Sequence, residues 1–415
     1  VIDRLRIMAI LLLPMAAFGQ ERLTLEACYR LVESNYPLVN QRAMFEKQNA
    51  LNLELLNIEK LPDFNISAQT TYQSAVIQVP LPGIEAINKD QYRATVNVNQ
   101  LIYDGDAIDA ALDVQTADLA TKQKQLEVNL YQLKAQVNQL YFSILLQQEK
   151  WNLLTSKKEL LEAKLQEVKA EISYGTMLPA SDKVIEAELL KIRQLFNETD
   201  LNKTNLFLTL SALIGKDINE SVTLENSDIT TNLQSQISRP ELDLFRLKKT
   251  KLDASDTHLS KQNSPKVFGF LTGGYGNPGL NMLDNSFQPF YTLGVKMSYN
   301  IFDWKSNDKK RKSLAVNKEI LDNQTEVFEL STTIELNRLQ AEIEKLTSFI
   351  TSDLEIIELR KRVLKSAESQ LKNGVITSSA YLAELTQLFE DQNMMNMHRI
   401  QLSLVKANYN TTKGQ

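Results

Sequence analysis

The chain holds a single cysteine in 415 residues, Cys28, so it can form no disulfide within itself and no multi-thiolate metal site. That scarcity suits an oxidising compartment. Its two histidines, His258 and His398, lack the spacing of a zinc pair or a catalytic triad, and each reads as an ordinary surface or core residue. Glycine and proline number only 13 and 10, too few for a fibrous chain, and 43% hydrophobic residues are too many for a disordered one. A cationic surplus is also missing. With 46 Lys+Arg against 51 Asp+Glu the net charge is -5, which excludes a generally basic surface seeking nucleic acid. Beyond residue 20 no stretch approaches the ~20 apolar residues of a membrane-spanning helix.

The first residues read as an export signal. Arg4 and Arg6 precede an apolar stretch from Ile7 to Phe18, and Ala17-Phe18-Gly19 offers a small-x-small cleavage site before Gln20. The expected signal peptide is 1–19. Leu25-Glu26-Ala27 puts an acid where a lipoprotein signal needs a small residue, so Cys28 reads as a helix residue. With no spanning helix, any bilayer crossing by the exported chain falls to strands.

The sequence repeats itself. Pro37 and Pro62 recur as Pro240 and Pro265, an offset of 203, while Tyr103-Asp104 recurs as Phe302-Asp303 and Gly175 as Gly374, an offset of 199. The change of offset falls in loop-like stretches, marked by Pro80, Pro82 and Gly83 in the first copy and spanning Gly276 to Pro289 in the second. The expected divisions are a first repeat over 20–214, a connecting segment over 215–238 and a second repeat over 239–415.

Within each copy the hydrophobic period passes from helical to alternating and back. Phe64, Ile66, Ala68, Thr70 and Tyr72 alternate with Asn65, Ser67, Gln69 and Thr71, and residues 92–99 and 291–301 follow the same rule. The stretch 266–275 is poorly patterned because of its glycines. Strands of about 10 residues suit a tilted crossing of a bilayer, and Tyr72, Tyr92, Tyr275 and Tyr291 at one end, with Tyr103 and Phe302 at the other, resemble interfacial girdles. Four such strands cannot close around a pore, and an open edge is forbidden in lipid. The simplest closure is three copies supplying twelve strands, wide enough to leave a channel.

Each hairpin is followed by a long seam of steps of four and three. The first runs from Leu126 to Ile172, interrupted at Gln147 and Lys158; the second runs from Leu336 to Leu371, interrupted at Asp353 and Arg360. With no Pro or Gly between Asp106 and Tyr174, or between Trp304 and Asn373, each predicts one helix of about 69 residues, roughly 100 Å long. Each ends at a glycine turn and is followed by a shorter returning helix.

An exported chain with two copies of helix, hairpin, long helix, glycine turn and returning helix resembles the outer-membrane efflux protein family, the TolC-like channels. The likeness runs from about Leu23 to Tyr409. Its most specific local signs are the strand-to-helix junctions, Leu101-Ile102-Tyr103-Asp104-Gly105 and Asn300-Ile301-Phe302-Asp303-Trp304, and the two glycine tips. The resemblance implies a mainly α fold with a membrane β-barrel portion: a homotrimer with a 12-stranded outer-membrane barrel and a periplasmic α-helical tunnel. It also implies a passive exit duct of a tripartite efflux or type I secretion system, partnered by outer-membrane lipid, a periplasmic adaptor and an inner-membrane pump. In the family the helix tips meet the adaptor, which makes Tyr174, Gly175, Thr176 and Met177, with Asn373, Gly374, Val375 and Ile376, the contact candidates. Members also close the tunnel with carboxylates just after the second tip. Here Ala380 and Ala383 stand at those positions, with Glu384 beside them, a departure from an acidic gate in the second copy. In the first copy Asp182 and Glu186, one turn apart on one face, read either as a solvated face or as a ring of charge in a trimer, and with Glu384 they are the possible pore acids.

Other motifs carry less. Gly274-Tyr275-Gly276-Asn277-Pro278-Gly279 fits a dinucleotide-binding string, but no helix follows it, and it reads as a hairpin tip. Asp104, Asp106 and Asp109 start like a calcium loop, yet Gln115 stands where the bidentate acid belongs, and helix capping explains Asp104 better. Lys309-Lys310-Arg311-Lys312 reads as a solvated face, with lipid head groups as the next reading. No nucleophile elbow, P-loop or paired-histidine helix is present, so no enzyme, cofactor or resident metal is expected. The competing reading is a periplasmic coiled-coil structural or adhesive protein without channel activity.

Overall fold

The computed structural model describes residues 22–77, 87–220, 222–225, 228–232 and 236–415. The expected signal peptide and the loop markers Pro80, Pro82 and Gly83 lie outside the described residues. In chain order the elements are β1 (Arg22–Leu23), α1 (Leu25–Asn35), a 3-10 turn (Pro37–Asn40), α2 (Gln41–Ile58), β2 (Asp63–Tyr72), β3 (Asp90–Tyr103), α3 (Ala107–Ser173), α4 (Ser181–Ile214), β4 (Thr223–Leu224), α5 (Pro240–Gln262), β5 (Lys266–Asn277), β6 (Gln288–Ser298), α6 (Ser306–Lys372) and α7 (Ser378–Lys413). The duplication shows in these bounds. β2 and β5 begin 203 residues apart, while α3 and α6, 67 residues each, begin and end 199 apart. No helix among the described residues is long and apolar enough to cross a membrane.

Two compact units form, and each draws corresponding parts from both sequence copies. One comprises Pro37–Asn129 and Ser238–Ser331; the other takes the described residues up to Tyr36 together with Leu130–Ile237 and Thr332–Gln415.

The first of these units holds an antiparallel sheet in the order β2-β3-β5-β6. Its register sets Phe64 opposite Val98, Val98 opposite Leu271 and Leu271 opposite Leu293, so one face is mainly apolar, with Thr70 and Gln100 towards its ends. The other face aligns Asn65, Asn97, Thr272 and Thr292, with Thr272 Oγ1 donating to Asn97 Oδ1 at 2.9 Å. The glycine-rich β5 is a full strand because aromatic rings fill what its neighbours leave empty. Phe270 lies over Gly294 and Phe290 over Gly274, each ring occupying the space a Cβ would take. β6 stops at Ser298, short of the alternation that continues to Ile301, because its ladder partner begins at Lys266 just after Pro265, which has no N–H to give.

Both strand-to-helix junctions are built alike. The Asp104 carboxylate accepts the N–H groups of Asp106 (3.1 Å) and Ile108 (2.6 Å); that of Asp303 accepts those of Lys305 (2.9 Å) and Asn307 (3.0 Å). Two left-handed residues follow each aspartate, Gly105 and Asp106 in one copy, Trp304 and Lys305 in the other. The carboxylate thus satisfies amide groups that the opening turn of the helix leaves unpaired, which is why Asp104 is a cap.

In the second unit the predicted seams are the buried faces. Leu126, at the end of the first unit, and Leu130, Val137, Ile144, Leu154, Leu161, Leu165 and Val168 are buried on α3, as are Leu336, Leu339, Leu346, Ile357, Ala367 and Leu371 on α6. Cys28 lies on α1 in a core with Val137, Tyr141, Ile144, Phe207, Leu210 and Ile214, and burial pushes its thiol up to about 12. The Tyr141 hydroxyl sits 2.9 Å from the Leu23 carbonyl and 2.8 Å from that of Glu225, tying α3 to the ends of the paired strands β1 and β4.

Replacing Asp104 with alanine is expected to cost about 1 kcal/mol of stability, read by denaturant unfolding. Asp303→Ala should also destabilise, with a distinct pH signature. The Asn307 amide, then the Asn263 side chain, hold the Asp303 carboxyl below the usual range. Its contribution is therefore present above the unfolded pKa and lost as pH falls through the folded value, so the gap between wild type and variant should narrow in acid.

Candidate functional site: the paired helix tips

Each long helix ends in the same hydrogen-bonded stop. On α3 the Thr176 N–H bonds the Glu171 carbonyl at 3.0 Å and the Gly175 N–H bonds that of Ile172 at 3.0 Å. On α6 the Val375 N–H bonds Gln370 at 2.8 Å and the Gly374 N–H bonds Leu371 at 2.9 Å. This double closure requires a left-handed residue, and Gly175 (φ +73°) and Gly374 (φ +71°) supply it. A Cβ at either position would meet nothing within 4 Å, so the demand for glycine is a backbone demand alone. Thr377 then caps α7, its hydroxyl accepting the Ala380 N–H at 3.2 Å.

The two tips come together, the Ser378 hydroxyl donating to Met177 Sδ at 3.7 Å. They share a core of Leu161, Leu165, Val168, Ile185, Leu371 and Leu385, against which Met177 and Ile376 pack. Of the eight tip candidates, these two face inward. Tyr174 and Val375 face outward with 83% and 70% of their surface free, and Gly175, Thr176, Asn373 and Gly374 are exposed as well. Leu178, 67% exposed, belongs with the outward group. An exposed aromatic and two exposed aliphatics around a rigid turn can dock a partner.

The candidate pore acids are all paired with cations of their own chain. Lys183 lies 3.3 Å from Asp182 and 2.8 Å from Glu186, and Lys169 lies 2.9 Å from Glu186. The Lys183 and Lys169 hydrogen bonds hold the Glu186 carboxyl below its usual range. Glu384 lies 3.6 Å from Arg360, whose nearer partner is Asp391 at 3.0 Å. Asp182 and Glu186 are thus brought to one lysine, while Glu384 belongs to a separate pair. No group of three or more potential metal ligands occurs among the described residues.

Sequence reasoning missed the polar contacts inside the bundle, although it marked their places as interruptions of the seams. At the Asp353 gap stands His398, with Nδ1 2.6 Å from the carboxylate, and at the Arg360 gap stands Asp391. Near the Lys158 gap the buried residue is its neighbour Lys157, 2.8 Å from Glu188 and over the Phe389 ring. Burial raises the Glu188 carboxyl, but the hydrogen bond and charge of Lys157 outweigh it and leave the group below its usual range. A polar residue at a seam position calls for a partner on the facing helix, and that rule locates the pairs at Asp353 and Arg360 but not Lys157, which lies one residue off the seam.

Paired helical hairpins with short strand insertions, joined through Asp-capped junctions, are the architecture against which known proteins can be compared. Residues 41–216 match the family model described as outer membrane efflux protein. This span runs from α2 through the first hairpin, the first long helix and its tip to the end of α4. No curated protein matches the chain in sequence. Among solved structures it is similar to the outer membrane protein VceC of Vibrio cholerae, with TM-score 0.67, 14% identity, and 94% of this chain and 96% of that one covered. The Campylobacter jejuni CmeC outer membrane channel has TM-score 0.65, 16% identity, and coverage of 94% and 85%. The open state of the Neisseria gonorrhoeae MtrE outer membrane channel has TM-score 0.67, 13% identity, and coverage of 94% and 89%. The resemblance read from the sequence is borne out: the stretch 41–216 carries the sequence of the outer-membrane efflux protein family, and the two-repeat fold is that of its channel subunits.

Two predictions follow from the tips and the bundle beneath them. Tyr174→Asp and Val375→Asp should leave the thermal unfolding midpoint unchanged, because both side chains point to solvent. Lys157→Ala should lower stability by about 1–2 kcal/mol, since half-buried Glu188 then keeps only Lys191 at 3.3 Å, whereas replacing both Lys157 and Glu188 with methionine should recover most of that loss in unfolding experiments.

Proposed function

We propose that this chain is the outer-membrane exit channel of a tripartite efflux or type I secretion system. Three copies close a twelve-stranded barrel, and the helices extend from it into the periplasm as a tunnel. The duct is passive. Energy and cargo selection come from an inner-membrane pump, reached through an adaptor that docks at Tyr174, Gly175, Thr176, Met177, Asn373, Gly374, Val375 and Ile376.

The observation that carries this reading is the way unpartnered surfaces coincide at the two ends of the sheet. β2 and β6 are its edges, each with a row of unpaired backbone groups. The apolar face between them is open, with Ile66 79% and Leu293 74% exposed. α2, which leads into β2, exposes Met44, Leu51, Leu55 and Ile58 at steps of seven, four and three. α6, which follows β6, exposes Val316, Ile320, Val327 and Leu330 at steps of four, seven and three. One end of the unit thus offers an open strand beside an open helical seam, and the other end offers the same. Joining unlike ends head to tail satisfies both at once and generates a ring. Lipid then covers the apolar face, where water would leave it unfavourably hydrated.

Planar-bilayer recording on the purified trimer is the decisive test. Steady conductance supports the channel, and a protein that extracts without detergent and conducts nothing overturns it. The two sheet faces give a sharper comparison. Leu293→Arg, on the apolar face, should cost about 2–4 kcal/mol and sharply reduce folded trimer in the membrane. Thr292→Arg, one residue away on the polar face, should assemble normally and shift ion selectivity towards anions.

A further inference from the structure

The two strand-to-helix junctions share a backbone and differ in chemistry. Residues 104–113 of the first copy hold four aspartates and no cation, whereas residues 303–312 of the second hold five cations against Asp303 and Asp308. The acids of the first junction are met from nearby, Asp106 by Lys261 at 3.1 Å and Asp109 by Lys60 at 2.6 Å. At the second junction the acids are already engaged. Asp303 accepts the backbone of Lys305 and Asn307, Asp308 holds Lys312 at 2.9 Å, and Asp256 grips Arg311 through two bonds of 2.9 Å. Lys305, Lys309 and Lys310 are exposed and have no ion-pair partner among the described residues.

These lysines follow directly on the apolar face of β6. Tyr291, Leu293, Val295 and Met297 lead by alternation to Tyr299 and the 83% exposed Ile301, and then to Phe302 and Trp304, whose rings meet edge to face at 4.7 Å. Trp304 is 80% exposed, and its backbone is held left-handed at φ +54° by the capped junction. Lys305 adjoins it, and the Lys309 N–H bonds the Lys305 carbonyl at 3.0 Å, which puts Lys309 one helical turn further on. An amphipathic ring at the end of a lipid-facing strand, with three unpaired ammonium groups just beyond it, matches a glycerophospholipid. The ring suits the glycerol level, and the cations suit a phosphate-bearing head group of net negative charge.

We infer that Trp304, Lys305, Lys309 and Lys310 form a binding site for anionic phospholipid of the periplasmic leaflet, present in the second repeat and absent from the first. The inference rests on the membrane-channel reading above. Each protomer would carry one such site, which would fix the depth and rotation of the barrel in the inner leaflet.

The chain has two tryptophans, Trp151 and Trp304, so Trp151→Phe leaves Trp304 as a single reporter. The assembled single-tryptophan protein would be reconstituted into mixed phosphatidylcholine and phosphatidylglycerol vesicles, with brominated chains on one lipid or on the other. Brominated phosphatidylglycerol should quench Trp304 more than its share of the mixture. Its local enrichment should fall about fivefold for each lysine changed to glutamine at 305, 309 and 310, and should fade with added salt in the unmutated protein. Quenching in proportion to composition by both lipids would overturn the site while leaving the barrel reading intact. No quenching by either lipid would remove Trp304 from the bilayer and overturn both.

Discussion

On the proposed reading, an open β-sheet edge in a medium without water is the constraint on which everything else here depends. Each unpaired backbone group at such an edge costs several kcal/mol in hydrocarbon. A four-stranded sheet with a mainly apolar face therefore has no stable existence in a bilayer unless both edges are closed. Its own strands are too few to curl on themselves. The exposed seams of α2 and α6 carry the same demand below the sheet, so strand pairing and helix packing favour one and the same head-to-tail contact. Neither would need to be strong alone, since each restricts the search that the other must make.

Within the helical unit the polar interruptions act as register marks. Lys157 with Glu188, His398 with Asp353, and Arg360 with Asp391 lie at or beside gaps in otherwise apolar seams. Partly buried pairs of this kind add little net stability over apolar residues, but breaking one costs more than breaking an exposed pair. A seam of leucines tolerates sliding by a heptad; one with a charge at a single level does not, because the slipped arrangement leaves that charge among leucines. Helices of 67 residues need such marks more than short ones, since their repeating surfaces offer many nearly equivalent registers.

Much of this was legible in the sequence because it is periodic. The seams, the alternating strands, the glycine stops and the duplication are patterns along the chain, and they reappear in the structure within a few residues. What escaped was whatever depends on a neighbour far away in sequence. The strand over 266–277 looked weak because its glycines break the alternation, yet each ring that compensates, Phe270 over Gly294 and Phe290 over Gly274, sits across the ladder. β6 ends early for a reason located in Pro265, on the preceding strand. Among the tip residues, spacing alone did not separate the inward Met177 and Ile376 from the outward Tyr174 and Val375, because a turn has no period.

The equal length of α3 and α6 sets a rule for how such a chain can change. Their ends meet where Ser378 touches Met177, so the pair works as two matched rods. Seven residues added to one rod alone would carry its end about 10 Å past the other and pull that contact apart. The hairpin loops at the opposite ends of the strands have no such twin to stay level with, and there the two copies differ by four residues while the rods keep one count. Length in this molecule is thus free to drift at the loops and is held in synchrony along the rods, so an insertion in one rod would survive only with its double 199 residues away.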